Sequence, residues 1–152
     1  MHTPESIMYE ASMPSASAPL NPASLAPGTV VSTGIFPFFR HKGIVSDQWS
    51  GDTPMMFSNS ARAGGVAEEP WDVFAAGQVV AVEGYPSNLP PAQVVGRARS
   101  LIGTRYQLLN WNCEHLTSYA HGQQPTSPQV AFVVGVLVLV TLIAMTTRSK
   151  GA

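Results

Sequence analysis

The C-terminal stretch from Val130 to Met145 limits the possible folds more than any other part of the chain. It holds no charged residue and no proline, only Val, Leu, Ile, Ala, Phe and Met around Gly135 and Thr141. With Thr146 and Thr147 it runs about 18 residues before Arg148, close to the shortest helix that crosses a hydrocarbon core. A segment apolar on every side cannot lie on a soluble surface, because its outer face would stay in water. The competing reading, a strand or helix buried in a core, needs covering elements, and only residues 148–152 follow. The stretch therefore predicts a transmembrane helix over 130–147 and a short polar tail over 148–152, in a single-pass protein anchored at its C-terminus. Arg148 and Lys150 suit either the cytoplasmic side or the headgroups. The domain ahead of the helix is expected in the cytoplasm.

Residues 1–24 are rich in Pro, Ser and Ala without periodicity, the pattern of a disordered N-terminal tail. They lack the basic start and continuous apolar core of a secretory signal and are expected to stay uncleaved. Residues 25–129, about 105 in all, suffice for one core and not for two. With a net charge of −1 and only 11% charged residues, no basic face speaks for nucleic acid. A single cysteine excludes an intrachain disulfide and any multi-cysteine zinc site, and the histidines lack metal-ligand spacing, so no cofactor or metal is expected. Gly135 alone makes no helix-pairing motif, and oligomeric state is left open.

Within 25–129, Thr29–Ser32, Phe38–Val45, Pro54–Ser58 and Val79–Glu83 read as antiparallel strands separated by breaks such as Ser50-Gly51-Asp52. Ala63–Pro70 reads as a connection into a turn at Trp71–Phe74, whose aromatics are expected in the core. Pro90-Pro91 opens a helix with Val94, Val95, Ala98, Leu101 and Ile102 on one side and Gly103 in the C′ role. A short stretch at Tyr106–Leu109 precedes a second helix, and Pro125–Gln129 reads as a linker to the membrane. The class is α+β, an antiparallel sheet packed against helices.

The second helix carries the one cysteine. Asn112 is a good N-cap, because its side-chain oxygen accepts from unpaired first-turn amides, and this sets Cys113 near position N1. A thiolate there feels the positive helix end, which is expected to lower its pKa. A buried, inert cysteine is the bland alternative. A nucleophilic thiolate needs a base, and the chain has four histidines. His2 lies in the tail, His115 points to the far side of the helix from Cys113, and His121 is about two turns away. His41 remains, on a strand where alternation puts His41, Gly43 and Val45 on one face.

Asn112-Cys113-Glu114-His115-Leu116, with His41-Lys42-Gly43-Ile44-Val45 upstream, resembles the lecithin:retinol acyltransferase (LRAT)-like family, a permuted relative of the NlpC/P60 papain-like fold. Leu25–Val31, the Ala98–Tyr106 region and Gly122 with Ser127-Pro128-Gln129 extend the likeness over residues 25–129. The resemblance implies a papain-like α+β domain in which Cys113 is the nucleophile and His41 the general base. It also implies a membrane-anchored acyltransferase or phospholipase A-type hydrolase, with phospholipid or another acyl lipid as substrate. Asn112, Glu114 and His115 are then supporting residues. Family members often carry a second histidine on the following strand, and Met55–Ser60 has none. Asn59 is taken to orient His41, with Ser58 as the alternative on the opposite face. Two other readings keep the same residues: an NlpC/P60-like amidase or peptidase, and a non-catalytic membrane-bound binding module.

Overall fold

The computed structural model of the chain describes residues 20–36 and 39–149. His2 and most of the expected tail, Phe38 of the expected second strand, and residues 150–152 lie outside these.

Five strands form one antiparallel sheet: β1 (Val30–Phe36), β2 (Phe39–Ser50), β3 (Thr53–Ser60), β4 (Gly65–Pro70) and β5 (Val80–Gly84). Their order is β4-β3-β2-β1-β5, which puts β2 at the centre. The period-2 alternation of strands divides the apolar residues between two faces. On one face Val30, Ile44 and Phe57 pack with Val94, Val95 and Ala98 of α2 (Pro91–Arg99) and Leu116 and Ala120 of α3 (Cys113–Ala120). On the other, Val31, Val45 and Met56 pack with Phe74 of α1 (Trp71–Ala75), flanked by Leu25 and Trp71. Each fully buried Ile44, Phe57 or Leu116 contributes roughly 1.5–3 kcal/mol, so both layers are held firmly to the sheet.

Two expectations need correction. Ala63–Pro70 is not a mere connection: from Gly65 onward it is edge strand β4, paired from Ser60↔Gly65 to Met55↔Pro70. A tight turn closes it, with Gly64 at φ 74° and its N–H donating to the Ala61 carbonyl at 3.2 Å. Gly65 packs against the Thr104 carbonyl where a Cβ has no room. Glycines and adjacent glutamates hide the strand from any β-propensity signal, although charges are common on edges. The α2 helix also stops earlier than expected. It ends at Arg99, a turn follows, and Gly103 (φ 88°) bonds to Val66 of β4 rather than closing the helix.

The apolar C-terminal stretch is a single helix, α4 (Pro128–Ser149), which starts within the expected linker. Pro128–Thr147 has a mean hydropathy of 2.6, and none of it is buried inside the molecule. It is long and apolar enough to cross a membrane.

Candidate active site

The α3 N-terminus is built by Asn112. Its Oδ1 accepts from the Glu114 N–H (2.9 Å) and the His115 N–H (3.4 Å), and its own N–H donates to His115 Nδ1 (3.3 Å). This is a capping box with histidine in the place usually held by glutamate or glutamine. The Asn112 amide nitrogen reaches the Leu108 carbonyl (2.9 Å) and Ser127 Oγ (3.1 Å), tying the cap to the loop before it and to the approach to α4.

Cys113 is thereby the first residue of α3, with its side chain turned onto β2. Its Sγ lies 3.9 Å from the Arg40 carbonyl, and the Lys42 N–H also points at the sulfur. The thiol thus touches the backbone on both sides of His41. Burial pushes its pKa above the ordinary 9.0; the Lys42 N–H pulls it down and the Glu114 charge pushes it further up. The expected depression by the helix terminus is outweighed, because desolvation of a thiolate exceeds the pull of a few partial charges.

His41 shares its face with Gly43 and Val45, the α1 side of the sheet. Its ring stands 5.2 Å from that of Phe74, which occupies the space a side chain at Gly43 would need. Burial lowers its pKa below 6.5, against the raising effect of Glu69 and with that of Arg62. His41 and Cys113 come to the end of the sheet from its two sides and line one cleft of about 420 Å³. In this arrangement the thiol bonds to the Arg40 carbonyl rather than to the imidazole. Tyr106 lines the same cleft, and burial raises its pKa, which keeps the phenol a neutral donor.

Asn59 is on the other face of β3, the side of Phe57 and α3. Its Nδ2 donates to the Trp111 carbonyl (2.8 Å), bracing the residue before the cap. Its Oδ1 is buried in the cleft wall and, among the described residues, has no partner. The His41 side belongs to Ser58, which pairs with Gly43. Ser58 Oγ donates to Glu69 Oε1 (2.6 Å), and Arg62 holds Glu69 Oε2 (2.7 Å). Glu69 is a buried acid that the sequence reading missed. Its signal was the strand character of β4, which puts Ser58 and Glu69 on one face as diagonal neighbours.

Glu114 joins the site to α4. It takes Lys42 Nζ at 3.6 Å, the Ser127 hydroxyl and the Gln129 N–H at 3.1 Å. Burial would raise its carboxyl, but the Ser127 and Gln129 bonds with the Lys42 charge more than offset this, and its pKa is lowered. The Gln129 side chain pairs with Arg40 like a short strand, accepting from its N–H (2.9 Å) and donating to its carbonyl (3.1 Å). His121 lies apart, buried between Ser87 (2.8 Å) and the Gly28 carbonyl (3.0 Å). Among the described residues no group of three or more His, Cys, Asp or Glu is placed to hold a metal ion.

No curated protein and no solved structure matches the chain. The family described as lecithin retinol acyltransferase matches residues 28–124, a span that includes every strand, the His41 segment and the capped Cys113 helix. On that match, the chain belongs to the lecithin retinol acyltransferase family.

Proposed function

We propose that the protein is a membrane-anchored thiol acyltransferase or phospholipase that removes an acyl chain from a glycerophospholipid. The observation that carries this reading is the Cys113 thiol seated against the backbone on either side of His41, with both side chains lining one cleft. Neutral imidazole takes the thiol proton as sulfur attacks the ester carbonyl, so the nucleophile is made at the moment of use. The N–H of Cys113, the first amide of α3, donates to the developing oxyanion. Collapse breaks the ester C–O bond. The imidazolium returns the proton to the departing glycerol oxygen, and a Cys113 thioester remains. Water, an alcohol or an amine then gives a proton to His41 as it attacks the thioester carbonyl, the C–S bond breaks, and the imidazolium returns the proton to the Cys113 sulfur. Bilayer insertion of α4 holds this centre at the lipid surface and raises its effective concentration toward lipid substrates.

The reading is tested by intact mass of the detergent-solubilised protein after exposure to short-chain phosphatidylcholine or to peptide amides. An acyl adduct on Cys113 or fatty-acid release from the lipid alone is expected. Cleavage of amides only would move the assignment to a peptidase, and inertness toward both to a binding role.

Ser58 with Glu69, rather than Asn59, serves as the third element beside His41. The Glu69 charge favours the imidazolium that forms in each step. Glu69→Gln is expected to lower kcat by about 10- to 100-fold. It should also move the acid limb of kcat/KM to lower pH, because the group that raises the His41 pKa is gone. A lower rate with an unmoved limb would assign Glu69 to packing alone.

A further inference from the structure

A second cavity, of about 370 Å³, starts at Cys113 and leads away from His41, toward α4. Its walls are Phe39 and Tyr106 on the domain side, Leu108 and Leu109 on the loop before α3, and Val130 and Val133 in the first turns of α4. The loop is held in shape. Gln107 and Trp111 exchange backbone bonds of 3.0 and 2.8 Å, and the Leu108 carbonyl is pinned by Asn112. Its tip nevertheless leaves Leu108 64% and Leu109 57% exposed. A rigid loop that displays two leucines beside a helix of membrane-spanning length is suited to hydrocarbon rather than water.

We propose that this groove is the seat of the acyl chain that is transferred, and that the membrane helix itself forms one of its walls. The inference rests on the reading of Cys113 as an acyl-accepting nucleophile and adds where the chain lies. Three features select a lipid tail as the occupant. The groove is mostly apolar, with Arg40, Asn112 and Gln129 its polar lining, it ends at the sulfur that must meet the ester carbonyl, and its outer wall continues into α4. At about 370 Å³ it has room for part of a long acyl chain. A tail can pass sideways from a bilayer along Val130 and Val133 without crossing water. The Gln129 pairing with Arg40 and the bond of its N–H to Glu114 hold that wall in register with the nucleophile.

The test uses the full chain in phosphatidylcholine vesicles, with two readouts. In Cys113→Ala protein, a phosphatidylcholine with a mid-chain diazirine is expected to label the peptide containing Tyr106, Leu108 and Leu109, which lies off the spanning helix. In otherwise wild-type protein, Val133→Trp fills the far end of the groove. It is expected to lower the preference for dipalmitoyl over dihexanoyl lipid in kcat/KM by on the order of tenfold. Labelling confined to α4 beyond Val133, with an unaltered chain preference in Val133→Trp, would overturn the proposal. Labelling of the Leu108–Leu109 peptide in a protein that hydrolyses no lipid would leave the groove standing and remove the catalytic reading instead.

Discussion

Cys113→Ala should reduce turnover of a short-chain phosphatidylcholine to background, a loss on the order of 10⁵-fold or more, and should eliminate the acyl adduct. In the proposed mechanism the sulfur is the atom that takes the acyl group, and no second thiol exists in the chain to replace it. The fold should survive. The Asn112 cap uses its own side chain and backbone, and among the described residues the weak 3.9 Å contact to Arg40 is the one polar bond the sulfur donates. The stability cost is about 1 kcal/mol, as for an ordinary small buried truncation. Melting temperature measured beside turnover separates the two effects; residual activity within tenfold of wild type in a folded variant would disprove the thioester route.

His41→Asn is expected to lower kcat/KM by about 10² to 10⁴-fold, the usual worth of a positioned general base. The pH dependence is the more specific readout. The base must be neutral to accept the thiol proton, and burial holds its pKa below the ordinary 6.5. Activity should therefore rise with pH along an acid limb centred below 6.5, where an exposed histidine would give one near that value. His41→Asn should abolish that limb. The thiol is buried too, with its pKa pushed above 9.0, so the resting pair is thiol and imidazole and not an ion pair. Alkylation of Cys113 by iodoacetamide should consequently keep rising beyond about pH 10, where a thiol of ordinary pKa levels off. A plateau of alkylation near neutrality would show instead a preformed thiolate–imidazolium pair, and an acid limb at or above 6.5 would show a His41 imidazole whose pKa burial does not lower.

The contrast with an ion-pair mechanism follows from how deeply the two groups are covered. Helix-terminus partial charges and the Lys42 N–H favour the thiolate, yet they act over a few ångströms on a group that has lost most of its water. A site that ionises only as the substrate carbonyl arrives leaves the sulfur less open to oxidation between turnovers, because oxidants react with thiolates.

Where information was local, the sequence by itself was sufficient. Asn112 and the apolar spacing after it determined the capped helix and the placement of Cys113 at its first position, since capping depends on residues three apart. The uncharged run after Gln129 determined α4, and the aromatic and β-branched run around His41 determined the central strand. Only the tertiary structure decided which groups meet. Ser58 and Asn59 are neighbours whose side chains part to opposite faces, so a one-residue choice of register determines which shares the sheet face of His41, and that register is set by Ile44 and Phe57 packing against α3. Glu69 comes to the face of Ser58 and His41 on an edge strand too rich in glycine and charge to be recognised before its partner was in place. The direction of the Cys113 and His41 shifts is likewise a matter of burial, which depends on every layer around the two groups and on no short stretch of sequence.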